Sequence, residues 1–266
     1  MRLRPTFEAL RARGEKALVT YLTAGDPTPA LSLQACRAAL RAGADVLELG
    51  IPFSDPMADG PAIQRASERA LAAGMNVRGV LEMCRTLRAE FSQPIVLFGY
   101  YNPLLAFGIE AITQAAADAG ADAFLVVDLP PEESDELASA ARRHGQDLIY
   151  LLAPTSTPAR IELVRQRASG FVYYVSMTGV TGAKLADLSL VMASARRIGD
   201  AIALPLCVGF GISSPDEARQ LAGAAEGVVV GSVLVRLCEQ HAGDESALVR
   251  EVETLVRHIK AALRGA

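Results

Sequence analysis

The sequence contains no tryptophan, three lysines, three histidines and only 5% aromatic residues, and each shortage removes a class of chemistry. None of Lys16, Lys184 and Lys260 stands at an apolar strand end, so a Schiff-base aldolase lacks its nucleophile. His144, His241 and His258 stand in helix-like or polar connecting segments without ligand spacing, which argues against a metal-dependent aldolase, and no metal site is expected. The four cysteines, at 36, 84, 207 and 238, show no CxxC spacing and sit among Ala, Leu and Val, as buried reduced thiols do; disulfides and a zinc knuckle are not expected. The uncharged stretches 92–109 and 201–215 are broken by Pro, Gly, Asn or Ser, so no membrane span is predicted. The start, MRLRPTFEALRARGEK, interleaves Arg and Glu and has no apolar segment of the secretory kind, so a cytoplasmic protein is expected. A net charge of -4, from 30 acidic and 26 basic residues with Arg scattered along the chain, leaves no nucleic-acid footprint.

What is abundant is small and aliphatic. With 266 residues, 51% of them apolar, the chain can bury a large core as one α/β barrel or as two smaller domains. Ala-Gly-Ala recurs at Ala42-Gly43-Ala44, Ala119-Gly120-Ala121 and Ala222-Gly223-Ala224, each time after a helix-like segment and before a short Val/Leu run. A glycine just past a helix ends it in the left-handed conformation, and such runs suit strands buried on both faces of a parallel sheet. Eight strands follow, near 17–23, 45–50, 95–99, 123–128, 148–153, 171–176, 204–209 and 227–231. Amphipathic segments alternate with them at 30–41, 77–91, 109–119, 133–143, 158–168, 188–198, 215–222 and 246–263. Eight strand–helix units predict a (β/α)8 TIM barrel, with Phe7 to Arg13 as an extra N-terminal helix closing the bottom. A doubly wound sheet is the alternative. No linker or low-complexity segment divides residues 1–266, so a single domain is expected.

In such a barrel, chemistry sits at the C-terminal ends of the strands. Alternation in Asp45-Val46-Leu47-Glu48-Leu49 puts Glu48 on the lumen face if Leu47 and Leu49 face the helices. An apolar lumen would raise its pKa into the range useful for both giving and taking a proton; otherwise it is a strand-end Glu reaching water. The next loop, Pro52 to Pro61, is stiffened by its prolines and carries Asp55, which suits a turn, and Asp59. Asp59 is either the N-cap of the helical run after Gly60-Pro61 or a second carboxylate over the same mouth, with a different protonation role. Glycines at Gly179 and Gly182, Gly209 and Gly211, and Gly231-Ser232 follow strands six, seven and eight, where barrels often hold phosphate on backbone N–H groups and a short helix, here 233–239; each glycine pair is otherwise a tight turn.

The segment Glu48-Leu49-Gly50-Ile51-Pro52-Phe53-Ser54-Asp55-Pro56-Met57-Ala58-Asp59-Gly60-Pro61 closely resembles the signature of the tryptophan synthase alpha chain family. Tyr21 to Pro27, Tyr101-Asn102-Pro103, Asp128 to Glu133, Gly179 to Gly182 and Gly209 to Ile212 follow in matching order, so the resemblance spans nearly the whole chain. It implies a barrel that cleaves indole-3-glycerol phosphate into indole and glyceraldehyde 3-phosphate without a cofactor of its own. By resemblance, Glu48 is the acid/base, Asp59 offsets charge growing at the indole N–H, and Thr181, on a mobile lid over 177–187, hydrogen-bonds Asp59 when the lid closes. Gly182, Gly211, Gly231 and Ser232 would cradle the phosphate, and Tyr21, Tyr100, Tyr173 and Phe210 would line the indole slot, where plain core packing is the other reading. The resemblance also implies a beta chain carrying pyridoxal phosphate, an alpha-beta-beta-alpha heterotetramer, and partner-facing loops at Pro52, Asp55, Asn102 and Pro103. A stand-alone indole-releasing lyase and a catalytically silent barrel that only activates a partner are the alternatives.

Overall fold

The computed structural model describes residues 1–175, 188–209 and 211–265. Eight parallel strands close into a barrel in chain order: β1 (Ala17–Thr23), β2 (Val46–Gly50), β3 (Ile95–Gly99), β4 (Ala123–Val126), β5 (Asp147–Leu152), β6 (Val172–Val175), β7 (Leu206–Gly209) and β8 (Gly227–Val230). Around and beneath it lie α1 (Leu3–Ala12), α2 (Pro29–Ala42), α3 (Pro61–Ala72), α4 (Val77–Glu90), α5 (Tyr101–Phe107), α6 (Ile109–Ala119), α7 (Asp135–Arg143), α8 (Pro158–Arg167), α9 (Leu188–Ala201), α10 (Pro215–Ala222), α11 (Ser232–Gln240) and α12 (Glu245–Ala262). The barrel expected from the sequence is the one found, and the doubly wound alternative is set aside.

Period-two alternation sorts the strand residues into two cores. Outward-facing Leu18, Leu47, Leu49, Leu97 and Val208 pack against the helices. Inward-facing Val19, Val46, Val96, Leu125, Ile149, Cys207 and Val229 fill the lower lumen. Helix α1 closes the bottom by inserting Leu3, Phe7 and Leu10, one face at i, i+4, i+7, with the Phe7 ring 5.7 Å from that of Phe171. It begins at Leu3 rather than Phe7, and α5 is a helix that the sequence reading did not place at all. The cause is shared: Pro5 and Pro103 each occupy the third helical position, where the missing N–H has no intrahelical acceptor in any case, so neither proline interrupts its helix.

Two of the three Ala-Gly-Ala joints behave as expected, with Gly43 at φ +112 and Gly120 at φ +85 ending α2 and α6 in the left-handed region. The third does not. Gly223 has φ -67, because successive turns from Gly223, Ala224 and Ala225 back to Gln220, Leu221 and Ala222 carry the chain onward without a reversal. Among the described residues no helix is long and apolar enough to cross a membrane.

Candidate active site

Above the aliphatic layers, at the C-terminal mouth of the barrel, polar and aromatic side chains join the inward-facing aliphatic ones. A cavity of about 210 Å³ opens there, lined by Tyr21, Glu48, Ala58, Asp59, Ile63, Phe98, Val127, Leu151, Tyr173, Val175, Gly211, Ile212, Val229, Gly231 and Ser232.

Glu48 rises from β2 between Tyr21 of β1 and Val96 of β3 in the strand register. Its neighbours Leu47 and Leu49 point outward, so the lumen orientation inferred from alternation holds. The side chain is 0% exposed, and neither carboxylate oxygen has a hydrogen-bond partner among the described residues. Burial without compensation pushes its pKa up to about 8. The alternative of a strand-end glutamate reaching water is thereby excluded.

Asp59 reaches the same cavity from the loop after β2. It is not an N-cap: Gly60 occupies that position of α3 and Pro61 opens the helix. Tyr100 donates its hydroxyl proton to Asp59 Oδ2 at 3.0 Å and accepts the Ala58 N–H at 3.0 Å, while Gln64 Nε2 donates to the Asp59 carbonyl at 2.8 Å. Burial raises the Asp59 pKa to about 6, against the lowering effect of the Tyr100 hydrogen bond. Two carboxylates thus share one cavity with different proton affinities, the condition for separate acid–base roles.

Tyr21 and Tyr173 line the cavity, and two glycines make room for them. A Cβ on Gly50 would lie 2.4 Å from the Tyr21 hydroxyl, and one on Gly209 would lie 2.1 Å from that of Tyr173. Burial holds both phenols well above their ordinary pKa, with the charges of Asp59 near Tyr21 and Glu48 near Tyr173 adding to the effect. Tyr100 does not line the cavity; its ring stacks at a tilt 5.2 Å from Phe53 and its hydroxyl holds Asp59, so the slot-lining expectation for this tyrosine is corrected. Phe98, whose ring meets Tyr21 edge-on at 5.0 Å, takes a wall position that the sequence reading missed. The signal was available, since Phe98 is in phase with inward-facing Val96.

Gly211, Gly231 and Ser232, which follow the neighbouring strands β7 and β8, line the cavity. Gly211 has φ +77 and, among the described residues, nothing within 4 Å of a Cβ placed on it, so its backbone is open on that side. Gly231 is the N-cap of α11 and offers no capping side chain, so the helix starts at the cavity wall with its first-turn N–H groups uncapped by a side chain, an arrangement that favours an anion. Thr181, Gly182 and Phe210, with the expected lid, lie outside the described residues. Of the expected partner-facing positions, Asp55 and Asn102 are exposed and Pro103 is half-buried. Pro52 is buried. Among the described residues no cluster of three His, Cys, Asp or Glu is placed to hold a metal ion.

Barrel and site together define a (β/α)8 acid–base enzyme acting on a ligand with a flat apolar part and an anionic end. The family model for the tryptophan synthase alpha chain matches residues 7–264. A tryptophan synthase alpha chain of Geobacter sulfurreducens is 50% identical over 262 residues, covering 98% of both chains, and one from Burkholderia pseudomallei is 50% identical over 100% of this chain and 97% of its own. The crystal structure of tryptophan synthase subunit alpha from Legionella pneumophila superposes with a TM-score of 0.93 at 39% identity, covering 100% of this chain and 99% of that one. The chain belongs to the tryptophan synthase alpha chain family. With that family it is a carbon–carbon lyase of tryptophan biosynthesis that cleaves indole-3-glycerol phosphate, carries no cofactor of its own and has a beta chain as partner.

Proposed function

We propose that Glu48 is the proton-transfer residue of this cleavage and Asp59 its electrostatic partner. The observation that carries this reading is the pairing, in one cavity, of a fully buried carboxyl with no hydrogen-bond partner among the described residues and a second carboxylate held by Tyr100. Near pH 7 Glu48, at about 8, holds its proton and Asp59, at about 6, is ionised. Glu48 donates its proton to C3 of the indole, giving an indolenine-like cation whose N–H charge Asp59 offsets. The resulting Glu48 carboxylate takes the proton of the 3′-hydroxyl as the carbon–carbon bond breaks and its electron pair returns to the ring. Indole and glyceraldehyde 3-phosphate leave, and Glu48 is again protonated.

Gly211, Gly231, Ser232 and Gly182 hold the phosphate through backbone N–H groups, Tyr21, Tyr173 and Phe210 flank the indole, and Thr181 engages Asp59 on closure. The alpha chain, one domain over residues 1–266, works in the cytoplasm within an alpha-beta-beta-alpha heterotetramer whose beta chains hold pyridoxal phosphate. Asp55, Asn102 and Pro103 face the beta chain, and the loop resting on buried Pro52 transmits its contact to Asp59. A shift of the open–closed balance by the partner supplies about 1–3 kcal/mol, or roughly 5- to 150-fold in rate. The test is indole release from indole-3-glycerol phosphate with and without a cognate beta chain, on the wild type and on Pro52→Gly. The expected result is activation of the wild type and weaker activation of the variant; release unaffected by the beta chain supports the stand-alone lyase, and binding without turnover supports the silent barrel.

A further inference from the structure

Helices α3 and α11 both begin at the cavity and run away from it side by side. The start of α3 follows Asp59 directly and contributes Ile63 to the cavity wall, and the start of α11 contributes Ser232. Close to the cavity the two helices meet through Ile63, Ala66 and Val235, packed under Tyr21. Such apolar contact is strong but non-directional and does not by itself set how far one helix slides or turns against the other.

On a neighbouring side of α3, from Arg65 to Arg69, and near the end of α11 the contact is polar and directional. Arg69 of α3 forks onto Asp26, with Nε to Oδ1 at 2.7 Å and Nη2 to Oδ2 at 3.1 Å, and its third nitrogen, Nη1, donates to Glu239 Oε1 of α11 at 3.0 Å. Arg65, one turn earlier on α3, forks onto both oxygens of Glu239 at 2.9 and 3.0 Å. Asp26 is 2% exposed and sits just past β1, its N–H donating to the Thr23 carbonyl at 3.2 Å, two residues beyond Tyr21 of the cavity wall. Bidentate arginine–carboxylate pairs impose geometry as well as attraction. Four side chains therefore tie both helices to each other and to the strand end between them.

We propose that Arg65, Arg69, Asp26 and Glu239 form a clamp that sets the distance between the anion end of the cavity, at the start of α11, and Asp59, at the start of α3, making Arg69 and Glu239 positioning residues for a substrate that must reach both ends at once. The proposal rests on the reading of Asp59 and the α11 terminus given above. It explains why a guanidinium is shared between a buried acid and a neighbouring helix rather than spent on Asp26 alone. A flexible ammonium at position 69 could neutralise Asp26 but could not hold three bonds in one plane.

The clamp is tested with the full chain bearing Glu239→Gln, which leaves the buried Asp26–Arg69 pair intact, and with Arg65→Gln, at the more exposed end. Glycerol 3-phosphate engages one end of the cavity and indole the other; each is measured as a competitor of indole-3-glycerol phosphate cleavage. In both variants the inhibition constants of the two fragments are expected to stay within about 2-fold of wild type, while kcat/KM for the intact substrate falls roughly 10- to 100-fold, chiefly in kcat, as misplacement predicts. The double variant should lose little more than either single one, since the residues act as a unit. Unchanged cleavage in both variants overturns the clamp, and so does a parallel loss of fragment binding, substrate cleavage and melting temperature, which marks a merely structural role. If glycerol 3-phosphate fails to compete even in the wild type, it is the phosphate assignment that falls instead.

Discussion

Two buried acids at opposite ends of the same barrel have opposite surroundings. Asp122, at the entry to β4, is 3% exposed and accepts hydrogen bonds from Arg2 at 2.8 Å, Arg88 at 2.6 Å and the Ile95 N–H at 3.0 Å. Glu48, on β2 and facing the mouth, is as deeply buried and accepts none from the described residues. The first carboxylate is satisfied on both oxygens and ties α1, α4 and two strand starts together. The second is left to face an open cavity. Buried polar groups in a folded protein are ordinarily paired, so an acid with neither oxygen partnered marks a place where stability has been yielded to chemistry. One orphaned atom is not sufficient evidence: Asp147 Oδ2, at the bottom of the barrel, also has no partner among the described residues. Glu48 is set apart because both of its oxygens are orphaned and a second, differently tuned carboxylate shares its cavity.

The largest effect should come from removing the unpaired acid. Glu48→Gln keeps the shape but cannot shuttle a proton, so kcat should fall by about 10⁴ or more while glycerol phosphate affinity changes little; near-normal kcat would remove Glu48 from the mechanism. The same variant tests the surroundings through stability. The folded protein holds the Glu48 proton more tightly than the unfolded chain does, so the residue carries no penalty below its ordinary value of 4.5, a growing one as pH rises, and a constant one above about 8. Melting curves should therefore show the variant gaining on the wild type across that window, by roughly 3–5 kcal/mol in all, and a pH-independent difference would contradict the pKa.

The converse experiment is at the satisfied acid. Arg88→Gln strips the shorter of the two ion pairs from Asp122 and should cost about 3–5 kcal/mol of stability by denaturant titration, with kcat unchanged at a temperature where the variant is folded. A loss of kcat without loss of stability would erase the distinction between the two ends. Smaller in free energy, Gly231→Asp places a like charge at the uncapped start of α11 and a Cβ 3.2 Å from that of Tyr21, so glycerol phosphate affinity should drop roughly 10- to 100-fold by calorimetry. Unchanged affinity places the phosphate elsewhere. The smallest effect belongs to Tyr100→Phe. Without the hydroxyl that lowers it, the Asp59 pKa rises above about 6, and the acid limb of the kcat/KM profile should move to higher pH with a loss of about 3- to 10-fold at pH 7. An unmoved limb would detach it from Asp59.

The number, order and approximate limits of the strands were legible in the sequence because local pattern determines them: short Val/Leu runs between glycine joints can bury two faces in only one way. The lumen orientation of Glu48 was legible for the same reason, since a residue between two outward leucines has one other side to face. Helix starts were less readable, because Pro5 and Pro103 mimic boundaries unless the first turn's unused N–H groups are taken into account.

Tertiary structure alone decided how Asp59 is held, since the hydroxyl that grips it is 41 residues away and the ring carrying that hydroxyl turned out to support the loop rather than line the cavity. It alone decided that Gly50 and Gly209 exist to admit the rings of Tyr21 and Tyr173, a fit between neighbouring strands that no single strand can express. And it alone left Glu48 without a partner among the described residues: an unpaired carboxylate is a property of everything around it, whereas a sequence names one residue at a time. Periodicity along the chain is local physics and can be read directly; proton affinity in a cavity depends on which distant groups arrive there and which do not, and only closure of the barrel determines that.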